Sequence, residues 1–263
     1  MKKTIRRIAP AMLVLVALAT LSFMTKGGIT LRIRPQQGQT KTITSKANMM
    51  TMMEVQGQTM SMSQTMDIRQ SFMATKVTET QSDIETTVEA IKMTVSQMGM
   101  KLEYDSEHPE KTNPMLAGQT KAFEESLNKP VSVSYDVLGH IVGDTADLAM
   151  NQLANIIGEM PEKELSVGSK WNTSKAQNIS GTDMEVNMEY TVTAISKKSV
   201  DVSFTGNINS KEVTGTYNGT ANIDPQTGLV MNSTTKTNIS MTMNEQGLSI
   251  PMTIVGTTTI EVK

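Results

Sequence analysis

Cysteine is absent from the 263 residues. That excludes disulfides, thiolate metal centres, cysteine nucleophiles and the diacylglyceryl anchor of a bacterial lipoprotein. Aromatic residues are scarce, at one Trp, four Tyr and four Phe. Such a chain has few platforms for stacking bases and too few rings for the two girdles of an outer-membrane barrel. Only two histidines, His108 and His140, are present. His108 falls in the polar Glu107-His108-Pro109-Glu110 loop and His140 in a hairpin turn. Neither belongs to a metal-binding spacing, so both read as surface residues. There is no Gly-x-Ser-x-Gly elbow and no phosphate-cradling Gly loop. The adjacent acids Glu124 and Glu125 read as a solvated helix face. No catalytic, cofactor-binding or metal residue is assigned from sequence, and an enzyme is not the favoured reading.

What is present begins with a targeting segment. Lys2, Lys3, Arg6 and Arg7 form a basic stretch, Ile8 to Leu18 an apolar one, and Ala17-Leu18-Ala19 a small-x-small cleavage pattern. Residues 1–19 are expected to be a signal peptide, which predicts a periplasmic or secreted protein with no transmembrane segment after cleavage; the alternative is retention as an anchor. Removing those residues takes 24 basic against 26 acidic residues to 20 against 26. The mature chain is then acidic and lacks a basic patch, so nucleic acid is not an expected partner.

The remainder is mostly Thr- and Met-rich alternation, the period of half-buried strands. Met60, Met62, Met66 and Ile68 share one side, with Ser61, Ser63, Thr65 and Asp67 on the other. Gly57 supplies a hairpin turn within Val55-Gln56-Gly57-Gln58, and Asp224-Pro225-Gln226-Thr227-Gly228 supplies another. The alternation slips by one around Ala90 and Ile91, the signature of a β-bulge. The middle differs. An apolar stripe of Ala149, Leu153, Ile156 and Met160, widened by Leu148 and Ile157, predicts a helix over Thr145 to Glu159, capped by Asp144 or Thr145 and stopped by Pro161. A weaker stripe predicts a helix over Met115 to Asn128. Between them, Val131 to Val137 and Ile141-Val142 read as a hairpin.

The two flanks echo each other. Val167-Gly168-Ser169-Lys170-Trp171 parallels Gln37-Gly38-Gln39-Thr40-Lys41, and Tyr190 to Ile195 followed by Val200 to Phe204 parallels Phe72 to Val77 followed by Ile84 to Val88. The expected organisation is a first β unit at 29–111, a helical connector at 112–165 containing the hairpin at 131–142, and a second β unit at 166–263. The fold class is mainly β (α+β). Two related antiparallel units form a long-stranded curved sheet or partly closed barrel, with the connector packed against it.

In order along the chain, Leu31-Arg32-Ile33 to Gly38-Gln39-Thr40, Gln56-Gly57-Gln58-Thr59-Met60, Val167-Gly168-Ser169-Lys170-Trp171 and Ile250-Pro251-Met252-Thr253 resemble the bacterial domain-of-unknown-function family 6263. The resemblance implies an exported β-rich protein, found mainly in Bacteroidota. In outline its members resemble the curved half-barrels of periplasmic lipoprotein carriers; it implies no reaction or ligand.

Methionine is the compositional oddity, with 23 copies, among them Met49, Met50, Met52, Met53, Met60, Met62, Met66, Met73, Met93, Met98 and Met100 in the first unit. Core filling is the favoured reading, since Met adapts to gaps in a chain short of aromatics. The alternatives are a deformable pocket for an apolar ligand and a thioether site for Cu(I), with pairs such as Met60 and Met62, Met98 and Met100, or Met241 and Met243 on one strand face. Trp171 reads as a plug at one end of the sheet. Asp144-Thr145-Ala146 fits an O-glycosylation pattern, but helix capping explains it as well, and Asn178 and Asn218 fall in sequons that a Thr-rich surface produces by composition. The expected protein is a non-enzymatic envelope component that binds an apolar small molecule or an envelope protein; the alternatives are soft-metal binding through methionine thioethers and a hydrolase whose site the linear sequence does not reveal.

Overall fold

The computed structural model describes residues 28–55, 57–143, 156–179, 182–210, 213–245 and 248–263. Twelve antiparallel strands form one sheet: β1 Thr40–Val55, β2 Gln58–Val77, β3 Gln81–Gln97, β4 Met100–Asp105, β5 Pro130–Asp136, β6 Ile141–Val142, β7 Lys170–Ile179, β8 Thr182–Ile195, β9 Val200–Asn209, β10 Val213–Ile223, β11 Val230–Glu245 and β12 Leu248–Val262. Their order is β6-β5-β3-β2-β1-β12-β11-β10-β9-β8-β7, with β4 pairing the far end of β3. The sheet does not close into a barrel: among the described residues no ladder joins β6 or β4 to β7.

Alternation fixes which way the sheet faces. Thr65, Asp67, Arg69, Asn238, Thr257 and Thr259 point outward, while Ile43, Ile68, Phe72, Val202 and Val262 point into the core. One cluster joins Phe72 and Ile84 near one edge to Trp171 and Val192 near the other. A flat sheet would hold those residues many strands apart, so the sheet is curved and its apolar face is concave.

A non-strand strap holds one end of the curl. Leu31 and Ile33 are wholly buried inside it, each contributing about 1.5–3 kcal/mol of burial. The backbone beside them bonds both neighbouring turns. Ile33 N–H donates to Val137 O at 2.8 Å and Arg34 N–H to Thr227 O at 2.9 Å. Ile29 pairs with Leu165 in a two-way bridge, and the Arg32 guanidinium caps the carbonyls of Pro161 and Glu162. Gly228 and Gly139 sit at the turns with positive φ, +70° and +87°. A side chain at either would strike backbone, that of Arg32 at Gly228 and of Gly158 at Gly139.

The bulge in β3 lies where the alternation slips: Arg69 faces Ala90 and Gln70 faces Val88, leaving Glu89 unpaired in the ladder. The helix α1, Ala117–Ser126, follows a 3-10 turn at Pro114–Leu116 and falls inside the expected Met115–Asn128. Leu116, Phe123 and Leu127 pack onto Ile68, Val88, Ile91 and Tyr104, so α1 covers the concave face of the first strands. Of the helix expected over Thr145 to Glu159, residues 145–155 lie outside the described residues, and its last turn is not helical. In a helix the Ile156 carbonyl would bond Met160 N–H. Instead it accepts from Val230 N–H at 2.9 Å, and Met160 N–H donates to Leu138 O at 2.7 Å. Ile156, Ile157 and Met160 are buried as expected, but as part of a strap gripped by two sheet turns.

The β1–β2–β3 and β7–β8–β9 segments share details. Gly38 N–H donates to Ala74 O and Gly168 N–H to Val192 O, both at 2.8 Å. Thr75 and Thr193 are skipped in their ladders, and each hydroxyl donates to the carbonyl of an aspartate eight residues on, Asp83 and Asp201, at 3.1 Å. Asp136 and Asp224 each accept an N–H two residues ahead to close the next turn.

Candidate functional site

The concave face is open above the second half of the sheet. Trp171, Tyr190 and Phe204 are successive cross-strand partners on β7, β8 and β9. Trp171 and Tyr190 stack at 4.9 Å and 11°, and Tyr190 meets Phe204 at 5.9 Å and 50°. The next partner is Gly219 on β10, where a Cβ would collide with the Phe204 ring, so glycine lets that ring lie across the neighbouring strand. The same device recurs one row along the strands, where Gly206 makes room for Met188.

Between this aromatic row and the strap residues Ile157–Met160 lies a cavity of about 360 Å³. Its walls combine Trp171, Tyr190, Phe204 and Tyr217 with Met160 and Met188, and Ser233 and Thr235 close the far side. Polar groups gather at one rim. Lys175 pairs with Glu159 at 3.1 Å, and Trp171 Nε1–H donates to Glu159 O at 3.0 Å. Burial raises the Tyr190 phenol above its ordinary pKa, opposed by a hydrogen bond with Thr173 and reinforced by the Glu159 charge. Burial raises Tyr217 in the same way, so both phenols stay neutral at physiological pH. The site is thus an apolar, aromatic pocket with an ion pair at its mouth and two neutral hydroxyls within it.

The residues singled out from sequence fall in different places. Trp171 is buried against the strap and forms one wall of the cavity. His108 lies near Glu110, and His140 bonds Asp136 at 2.9 Å, both on the surface. Glu124 and Glu125 are on the exposed face of α1, where Glu125 pairs with Lys121. Asn218 is on the outer face of β10, whereas Asp144, Thr145 and Ala146 lie outside the described residues. Among the described residues no group of three or more His, Asp or Glu side chains is placed to hold a metal. The methionines divide: Met93 is buried, Met49, Met53, Met60, Met62 and Met66 face the concave side, Met50, Met52 and Met73 face outward, and Met98 and Met100 are exposed in the β3–β4 hairpin. Tyr190, Phe204 and Tyr217 went unnoticed as site residues in sequence. Their spacing is that of any core strand, and only the register brings them together, Tyr190 and Phe204 in one row and Tyr217 in the next, opposite Gly206.

The molecule is therefore an open, curled antiparallel sheet with a polar convex face and an apolar concave face, the reverse of a lipid-facing barrel. No helix among the described residues is long and apolar enough to cross a membrane. The model of a family of unknown function, DUF6263, matches residues 146–230. The matched segment contains the strap residues 156–165 and β7 to β10, and with them most of the cavity wall. No curated protein matches the chain. Solved structures with some likeness include an outer membrane channel from Pseudomonas putida F1, at 8% identity over 87% of this chain and 97% of that one, TM-score 0.27. Another is the translocator domain of the autotransporter NalP from Neisseria meningitidis, at 9% identity over 94% and 93%, TM-score 0.22. At such TM-scores the likeness carries no argument about closure, location or function.

Proposed function

We propose that the protein is an exported, non-enzymatic binding protein of the bacterial envelope whose concave face holds an apolar small molecule in the cavity beneath Ile157–Met160. The observation that carries this reading is the cavity itself: about 360 Å³ walled by four aromatic rings and two methionines, with its charged pair, Lys175 and Glu159, at one rim. Export is supported by the basic and apolar stretches of residues 1–19.

The paired details of β1–β3 and β7–β9 support a duplicated unit, in which β5 and β6 correspond to β10 and β11. On that reading the first copy carries an insertion, β4 and α1, that fills its own concave face with Leu116 and Phe123. The second copy joins β9 to β10 by a short turn at Ser210–Val213 and leaves the corresponding space for a ligand.

Trp171 is the only tryptophan and lines the cavity, so it reports occupancy directly. Titrating the protein with a long-chain fatty acid or with anilinonaphthalene sulfonate is expected to change Trp171 emission saturably. Thr235→Phe, which projects a ring into the cavity, is expected to weaken binding at least tenfold. Saturation unaffected by that variant would place the probe elsewhere and refute the reading.

A further inference from the structure

At the far end of the concave face the register assembles methionines from strands distant in sequence. Met53 on β1 is the direct partner of Met60 on β2 and of Met252 on β12, and Met252 is the direct partner of Met241 on β11. Four methionines therefore stand side by side on four adjacent strands. They share the concave side with the cavity, since the same ladders carry Ser45, Ile260 and Ser233 on that side nearer the strap. Met241 and Thr235 are separated by six residues of β11, about 20 Å along the strand, so the row is separate from the cavity.

Core filling accounts for only one end of the row. Met241 packs against the buried cluster of Met184, Ile208 and Val213, whereas Met53, Met60 and Met252 are half-buried and belong to none of the hydrophobic clusters of the described residues. Unbranched Met has three rotatable bonds, so neighbouring thioethers with Cβ atoms about 5 Å apart can turn their sulfurs to a common point. Three adjacent strands present Cβ atoms over about 10 Å, a span that two thioether arms meeting at one ion can bridge. No cysteine exists in the chain to compete, and neither histidine is in these strands.

We propose that Met53, Met60, Met252 and Met241 form a thioether site for a soft monovalent ion, Cu(I) or its redox-inert counterpart Ag(I), held by three sulfurs at a time. Neutral thioethers favour a soft, low-charge cation and discriminate against Zn(II). They carry no proton to displace, so affinity does not follow pH as it does for thiolate or imidazole ligands.

The test is isothermal titration of the full mature chain with Ag(I), and with Cu(I) against a chromophoric chelator under ascorbate. One equivalent is expected to bind, with a Kd constant within about twofold from pH 5.5 to 8 and with no binding of Zn(II). The double variant Met53→Leu, Met252→Leu keeps volume and shape and is expected to lose at least tenfold in affinity. Met98→Leu with Met100→Leu, in the exposed hairpin, is expected to lose none. Circular dichroism confirms that each variant folds, and X-ray absorption of the wild-type complex is expected to show a sulfur-only shell. Failure to bind one equivalent, oxygen or nitrogen in the shell, a strong pH dependence, or equal affinity in the Met53/Met252 variant would each overturn the proposal.

Discussion

Replacing Gly228 with alanine isolates the contact that holds the curl together. At φ +70° an L-residue costs roughly 1–2 kcal/mol, of which the reduced entropy of the unfolded chain returns about 0.4–1. A second cost is specific to this site. The new Cβ would lie against the Arg32 carbonyl and displace the strap that buries Leu31 and Ile33 and carries the bond from Arg34 N–H to Thr227 O. Forcing backbone apart in a packed region costs a further 1–3 kcal/mol or so, giving about 1–4.6 kcal/mol in total. Gly38 is the matched control: its φ is +76° and a Cβ there would meet nothing within 4 Å, so Gly38→Ala is expected to cost only the net backbone term, about 0–1.6 kcal/mol. Urea unfolding followed by Trp171 emission measures both, because Trp171 is stacked on Tyr190 beneath the strap. Equal destabilisation of the two variants, within about 0.5 kcal/mol, would refute the claim that the strap closes the sheet.

Further outcomes follow from the same geometry. Gly139→Ala, whose Cβ would strike the Gly158 backbone, is expected to resemble Gly228→Ala in the same assay and to weaken probe binding as well, because residues 157–160 form one cavity wall. Ile33→Ala is expected to lower stability by about 2–5 kcal/mol in urea titration, as removal of a wholly buried side chain does. Hydrogen bonds from Ser134 and Gln81 hold the Asp83 carboxyl below its ordinary pKa. At Asp136, burial pushes upward, but bonds from the His140 ring and from the His140 and Leu138 N–H groups outweigh it, and the net shift is again downward. A depressed folded pKa adds stability that is fully present above the unfolded value near 4 and is lost as pH falls through the folded value. The Tm is therefore expected to hold from pH 7 to 5 and to drop below about pH 4, less steeply in Asp136→Asn; an unchanged slope would count against the assigned bonds.

The strand pattern, the turns at Gly38, Gly57, Gly139, Gly168 and Gly228, and the bulge near Ala90 were legible because each is a local constraint: alternation, a required positive φ, or a slip in period. The strap was not. Ile156, Ile157 and Met160 have helix-compatible spacing, and burial beneath a curled sheet selects the same apolar positions as a helix face does. What decided the conformation was where the Ile156 carbonyl and Met160 N–H find partners, and those partners, Val230 and Leu138, are 74 and 22 residues away in sequence. The cavity and the methionine row were hidden for a related reason. Trp171, Tyr190, Phe204 and Tyr217 each sit in an ordinary strand, as do Met53, Met60, Met241 and Met252. Their meeting depends on long-range register, and the sequence marks them only as residues of one alternating face.

Occupancy of the cavity is the central claim, and native mass spectrometry of the protein purified from the envelope of its own host tests it most directly. A mass excess on the order of a few hundred daltons, fitting a cavity of about 360 Å³, is expected; it should disappear on denaturation and be absent from Thr235→Phe. A wild-type mass equal to that of the bare chain, under conditions that retain ligand in a known apolar-binding protein, would contradict it.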